Sequence, residues 1–166
     1  TLVPMLELVG LAKSFGRVRV FDSLRASLAP GTIYALIGPN GSGKSTLLKA
    51  LWGELGLDAG SIAWGGARVD TSSESWKRLV GAVPDDDALI DGLSIRGHFR
   101  LCGSLSGLSK VAVETRADAL MALFSLGEAA HATRVASEAS RGNRKRLACA
   151  LALLGEPSII LMDEPF

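Results

Sequence analysis

Gly38-Pro39-Asn40-Gly41-Ser42-Gly43-Lys44-Ser45 satisfies the pattern G-x-x-x-x-G-K-[ST], and these residue types imply a chemistry before any fold is assumed. Glycines let the backbone curl until successive N–H groups point inward, a concavity that fits phosphate oxygens. A helix beginning at the end of such a loop adds its unpaired N–H groups and the positive end of its dipole. The Lys44 ammonium is placed to neutralise β- and γ-phosphate charge, and the Ser45 hydroxyl to meet Mg2+. Near the other end of the chain, Ile159-Ile160-Leu161-Met162 runs into Asp163-Glu164. Carboxylates at the carboxyl end of a buried strand sit in the crevice where open α/β sheets bind ligands. There Asp163 would hold Mg2+, usually through water, and Glu164 would orient an attacking water as general base.

These groups need elements to position them. Leu6 to Leu11 reads as a short strand, Lys13-Ser14-Phe15-Gly16 as a turn, and Val18 to Leu28 as a second extended run closed by Pro30-Gly31. Thr32 to Ile37 is nearly all apolar, which suits a strand buried on both faces in a parallel sheet and leading into the glycine loop. From Lys44 to Leu55, Leu47, Leu48, Leu51 and Leu55 keep a helical period. Gly65-Gly66 predicts a hairpin between Ile62–Trp64 and Arg68–Val69, and Leu79–Val83 predicts a buried strand ended by Pro84. From Ser94 the pattern turns helical, with Ser94 as N-cap and Ile95, Phe99, Cys102 and Leu105 on one face. Val113, Ala117, Leu120, Met121 and Phe124 define a second helix closed by Gly127. Ser140-Arg141-Gly142 precede a third, up to Leu154, and Ser158–Met162 is the last strand. No internal repeat or linker interrupts this. The layout is an α/β core with an inserted helical part.

Composition narrows the function classes. The 166 residues suffice for one domain of ordinary size, and 48% apolar with 21% charged residues is that of a globular chain. Eighteen Lys and Arg against seventeen Asp and Glu argue against a strongly cationic nucleic-acid binder. Arg141, Arg144, Lys145 and Arg146 form a basic cluster, read as a solvated helix face near a phosphate site. Trp52, Trp64 and Trp76 show no basic interleaving that would make a base-stacking platform. Cys102 and Cys149 form neither a disulfide framework nor a zinc spacing, and Cys149 reads as a small core residue in a reducing compartment. The longest unbroken apolar stretch, Leu147 to Leu154, is too short to span a bilayer, and without a charged segment leading into an apolar one at the start, no secretory signal is expected.

Taken in order, Lys13-Ser14-Phe15-Gly16, Gly38 to Thr46, Gly81-Ala82-Val83-Pro84, Ser140-Arg141-Gly142-Asn143 and Leu161-Met162-Asp163-Glu164-Pro165 resemble the ATP-binding subunit of ABC transporters across essentially the whole chain. The resemblance implies a P-loop NTPase fold with an N-terminal antiparallel β subdomain and an inserted α-helical subdomain. The core would comprise residues 1–93 and 141–166, with the helical subdomain at about 94–140. It implies ATP and Mg2+ as ligands. Phe15 matches the aromatic that stacks on adenine, although a core residue at a turn is the alternative. Gly38, Pro39, Asn40, Gly41, Ser42, Gly43, Lys44, Ser45 and Thr46 match the phosphate loop, and Asp163 and Glu164 the acidic strand end. Ser140 and Gly142 match the signature loop, which in the family reaches the γ-phosphate held by a second ATPase domain packed head to tail.

Three departures stand out. The family's Leu-Ser-Gly-Gly-Gln reads Ala139-Ser140-Arg141-Gly142-Asn143; Arg141 is known in exporter-like members. The family's glutamine after proline, which touches Mg2+ and the attacking water, is Asp85, followed by Asp86 and Asp87. An aspartate there is shorter and charged, so it bears on turnover and coupling rather than on nucleotide binding; a merely solvated acidic loop is the alternative. Third, the family continues beyond Phe166 with a further loop, a strand and a histidine at the γ-phosphate. His98 and His131 precede Asp163 and read as ordinary helix-surface residues. Thr1 and Phe166 therefore read as cut ends of a longer sequence. A strand missing from mid-sheet would leave a gap of about twice the 4.8 Å strand spacing, so the piece alone is expected to be poorly stable and weakly active.

The expectation is an ATP-hydrolysing subunit that powers a membrane transporter of the exporter type, peripheral on the cytoplasmic face of the membrane and docked on a membrane-spanning subunit through Ser94–Gly127 and the Asp85 loop. Nucleic acid is not an expected partner. The alternatives are a soluble ABC-type ATPase acting on ribosomes or DNA, and a nucleotide-binding module that does not hydrolyse.

Overall fold

The computed structural model describes residues 5–86, 88–126 and 139–164. Asp87, Gly127, His131, Pro165 and Phe166 lie outside the described residues. The chain divides into two compact units, Thr1–Lys77 and Arg78–Phe166.

The first unit is built on an antiparallel sheet in the order β2-β1-β3-β4, with β1 (Leu6–Phe15), β2 (Val18–Leu28), β3 (Ala59–Trp64) and β4 (Ala67–Val69). Strict alternation would put Leu8 and Leu11 on opposite faces. A register shift against β2 between them lets Leu6, Leu8 and Leu11 all reach the core with Ile62. The hairpin around Gly65-Gly66 forms as expected, with Trp64 opposite Ala67. The expected turn at Lys13–Gly16 is instead strand as far as Phe15, where Ser14 pairs with Arg19 and Phe15 with Val18. Asp58 explains the extension: its carboxylate accepts from Lys13 Nζ at 3.1 Å and from the Ser14 amide at 2.6 Å. Those two donors, Lys13 first, hold the Asp58 carboxyl below its ordinary value.

No strand forms over residues 32–37, contrary to the expectation of a buried one. Ile33 is 99% and Ile37 90% exposed, and neither sheet includes the segment. An apolar run states a demand for burial, but a strand exists only where another strand accepts its hydrogen bonds. No described strand does so.

Helix α1 (Lys44–Trp52) packs Leu47, Ala50, Leu51 and Trp52 inward. It ends before the expected Leu55, because Gly53 takes a left-handed conformation (φ 89°) and its amide donates to the Lys49 carbonyl. A Cβ at Gly53 would lie 2.0 Å from the Thr71 carbonyl oxygen. Gly53→Ala is therefore expected to destabilise the protein by about 2–4 kcal/mol, through left-handed strain and a forced backbone shift. Denaturant unfolding reads this directly, and a loss below about 0.5 kcal/mol would contradict it. Helix α2 (Glu74–Leu79) has no periodic signal long enough to announce it. It exists around Trp76, which is fully buried and donates its indole N–H to the Leu51 carbonyl at 2.7 Å.

In the second unit β5 (Val80–Val83) and β6 (Ile159–Met162) pair in parallel, Val80 with Ile159 through Val83 with Met162. Among the described residues three helices accompany them: α3 (Ile95–Leu105), α4 (Lys110–Leu123) and α5 (Arg141–Leu153). Each opens on a serine whose side chain accepts from the amide three residues on: Ser94 from Gly97, Ser109 from Ala112 and Ser140 from Asn143. Phe99, Val113, Ala117, Met121, Leu147 and Leu154 form the centre of their core. Burying each large side chain among these contributes about 1.5–3 kcal/mol. On the rim Arg96 pairs with Glu114 at 2.8 Å and Asp118 at 2.6 Å, and Arg100 pairs with Glu114 at 2.6 Å. Such exposed pairs orient α3 on α4 more than they stabilise it. Cys102 and Cys149 are free, and burial pushes both thiols up. No helix among the described residues is long and apolar enough to cross a membrane.

Two expectations on α3 are corrected. Leu105 is exposed rather than on the inner face, because the inner stripe of Ile95, Phe99 and Cys102 has rotated away by the last turn. His98 is not a surface residue: it is only 3% exposed. Its Nε2 accepts from the Ile90 amide at 3.0 Å, so the ring is neutral and Nδ1–H donates to the Ser94 carbonyl at 2.9 Å. His98→Ala would orphan the Ile90 amide and open a cavity, and is expected to cost about 2–4 kcal/mol. Urea unfolding checks this; a change within about 0.5 kcal/mol would show that the latch is dispensable.

Candidate functional site

The expected site residues occur in both units. In the first, residues 38–43 form a turn that passes straight into α1, with the Ser42 amide donating to the Pro39 carbonyl at 3.2 Å. Gly43 is the N-cap at φ 92°, and no side chain caps the helix. The first amides of α1 thus lack the side-chain acceptor that α3, α4 and α5 each have, which leaves a helix N-terminus suited to an anion. Lys44 Nζ donates to the Gly38 carbonyl at 2.9 Å and the Pro39 carbonyl at 3.1 Å, so its ammonium lies across the loop. Ser45 is exposed and Thr46 half-buried.

Gly43 is needed for a second reason. A Cβ there would fall 2.5 Å from Val20 Cγ1 and 3.5 Å from Phe21 Cδ1. The β1–β2 hairpin therefore stands against the phosphate loop, with Val20 and Phe21 in the contact. Neither residue was singled out from the sequence. Nothing in a β-strand pattern signals which member meets a loop more than twenty positions on. The same hairpin carries Phe15, which is 50% exposed at the end of β1 with Lys13 Nζ 5.5 Å from its ring centroid. That exposure disposes of the alternative of a core residue and leaves a π face available for stacking.

In the second unit, parallel pairing brings the carboxyl ends of β5 and β6 to one edge. The Asp163 amide donates to the Val83 carbonyl at 2.8 Å, so Pro84-Asp85 and Asp163-Glu164 leave the sheet side by side. Asp163 is buried and Glu164 exposed. Glu164 has φ 45°, left-handed for a residue with a side chain, and such strain concentrates at functional positions. Ser140 caps α5 with its hydroxyl oxygen, 3.3 Å from the Asn143 amide. Gly142 faces open space, since a Cβ there meets nothing within 4 Å. Lys145 departs from the expected solvated face: it donates to the Pro84 and Asp85 carbonyls at 3.0 and 2.9 Å. The Pro84–Asp85 backbone is thereby restrained, while Asp85 itself is exposed.

The donor chemistry fits Mg2+. A serine hydroxyl and carboxylates are hard oxygen ligands, and Mg2+ takes one or two carboxylates, with substrate phosphates and water completing its shell. The uncapped start of α1, with a lysine across it, fits a polyphosphate.

Comparison with known proteins points the same way. The family model described as ABC transporter matches residues 21–166. The chain is 35% identical over 160 residues to the Nod factor export ATP-binding protein I of Rhizobium sp. (strain N33), covering 96% of this chain and 52% of that protein. It is 34% identical over 144 residues to ATP-binding cassette sub-family A member 7 of Mus musculus, covering 87% of this chain and 7% of that protein. A solved structure titled "Structure of ATP binding subunit of ABC transporter" superposes with a TM-score of 0.85 at 29% identity, over 98% of this chain and 67% of that one. The chain spans about half the length of the Nod factor export relatives it matches.

Proposed function

Because this chain belongs to the ABC transporter family, with the α/β fold of its ATP-binding subunit, we propose that it binds Mg-ATP through residues 38–46 and belongs to a protein that hydrolyses ATP to power a membrane-embedded transport partner. The observation that carries this is the start of α1: a left-handed Gly43, a helix with no side-chain cap, and Lys44 folded across the loop carbonyls. The loop amides take the phosphate oxygens, Lys44 neutralises their charge, and Phe15 stacks on the adenine ring. Ser45 and Asp163 would hold Mg2+, with Asp85, which leaves the sheet beside Asp163, as a further oxygen ligand. When bound, Mg2+ offsets the charge on the phosphates.

Glu164 acts as the general base. It takes a proton from water as the water oxygen bonds to the γ-phosphorus and the bridging oxygen leaves with ADP. Ser140 and Gly142, at the start of α5, serve the γ-phosphate of a second ATPase domain, so the working unit is a head-to-tail dimer. The membrane partner docks from the cytoplasmic side on the helical segment. Export is favoured over import by Arg141 in the signature loop and by relatives named for Nod factor export. Glu164 just past the end of β6 favours hydrolysis over a module that only binds nucleotide.

Equilibrium binding and turnover of Mg-ATP by the full-length protein test the proposal. Purified protein that retains no Mg-ATP at millimolar nucleotide would refute it.

A further inference from the structure

We propose that Lys145 is a positioning residue: from the second turn of the helix capped by Ser140, it clamps the Pro84 and Asp85 carbonyls and so sets where the Asp85 carboxylate can reach. The inference rests on the functional reading above and deepens it. Two consecutive carbonyls converge on one ammonium at 3.0 and 2.9 Å, which requires the chain to curl as it leaves β5. Extended backbone would send successive carbonyls to opposite sides. Hydrogen bonds from a charged donor are stronger than neutral ones, enough to offset the rotamer entropy that a fixed lysine loses.

The segment beyond is held as well. His98 accepts from the Ile90 amide at 3.0 Å, and Arg144 stands 3.5 Å from Asp91. The stretch after β5 is thus tied to α5 at both ends and to α3 between Asp85 and Ser94. Its near end is fixed independently, because Val83 accepts from the Asp163 amide. An aspartate makes this clamp matter more than a longer residue would. With only two side-chain torsions, its carboxylate reaches fewer positions from a given backbone than a longer side chain would. Lys145 thereby joins two parts of the machinery, the Ser140 cap and the Asp85 oxygen ligand, in one rigid connection.

A double-mutant cycle in the full-length protein tests this, with Lys145→Met, Asp85→Ala, the double variant, and Lys145→Arg. The readouts are kcat and KM for Mg-ATP and the thermal unfolding midpoint. Each single variant is expected to lower kcat about tenfold with KM little changed, and the double variant no more than either single, since one residue acts through the other. Lys145→Arg, which can still donate to two carbonyls, is expected to stay within about threefold of wild type. An additive loss of about a hundredfold would overturn the inference, as would wild-type kcat in Lys145→Met. So would Lys145→Arg as slow as Lys145→Met. Should Lys145→Met fail to fold, Lys145→Gln, which stays polar but whose shorter stem cannot reach the two carbonyls, replaces it in the same cycle with the same expectation. Wild-type protein that neither binds nor turns over Mg-ATP overturns the functional reading and this inference together. Wild-type turnover with an additive cycle overturns this inference alone.

Discussion

Lys44→Ala in the full-length protein is expected to raise the Kd for Mg-ATP by about a hundredfold to a thousandfold. Two effects combine. In the proposed site the ammonium would supply charged hydrogen bonds to the β- and γ-phosphates, each worth about 1.5–3 kcal/mol. It also spans the loop, donating to the Gly38 and Pro39 carbonyls. Alanine therefore leaves two carbonyls facing the place where phosphate oxygens must lie, with no cation between them. The helix end and the loop amides remain, so weak binding survives rather than none. Isothermal titration with ATP and Mg2+ measures the shift. Ser45→Ala is the useful companion, because it removes the proposed metal ligand without touching the lysine: its loss should appear only in the presence of Mg2+. Undiminished affinity in Lys44→Ala would mean that the 38–46 loop is not the phosphate site.

Glu164→Gln is expected to slow ATP turnover by about a hundredfold to ten-thousandfold while leaving nucleotide affinity within a few-fold of wild type. Glutamine keeps the size of the side chain and its place at the strand end but cannot take the proton from water. Backbone strain does not confuse the comparison, because glutamine adopts φ 45° at about the same cost as glutamate. Chemistry is lost and binding is kept, so the bound state lives longer. A dimer that closes over two ATP should then accumulate and be visible as a doubling of mass in size-exclusion chromatography with nucleotide. Single-turnover phosphate release separates the chemical step from product release. Equal turnover in Glu164→Gln and wild type would remove Glu164 from the base role and favour a module that binds nucleotide without hydrolysing it.

The legible features were those whose physics is short-range. Gly38 to Ser45 specifies its loop because glycine conformations and the following helix lie within a few residues of one another. Ser94 and Ser140 announced helix starts because a cap reaches only three residues, and Gly65-Gly66 announced a hairpin because the turn selects its own flanks. Other features depended on partners far along the chain. Periodicity at Ile95, Phe99 and Cys102 was enough to place His98 on the same inner stripe, but polarity argued it outward. Only the Ile90 amide and the Ser94 carbonyl, which satisfy both ring nitrogens, make its burial affordable. Lys145 looked like one charge in a basic run, and its acceptors lie some sixty positions earlier.

From residue types and spacing came a phosphate-loop pattern and a strand ending in two acids, and from their order the resemblance to the ABC family that the family match bears out. Local backbone preference and side-chain pKa classes are enough to encode that. The tertiary structure decided which segments found partners. It carried β1 on through Phe15 by way of Asp58, left residues 32–37 outside both sheets, and brought Val20 against Gly43. It also hung the Asp85 turn from Lys145. The physical reason is that a hydrogen bond or a van der Waals contact needs both of its partners in place, and one stretch of sequence carries the information for only one of them.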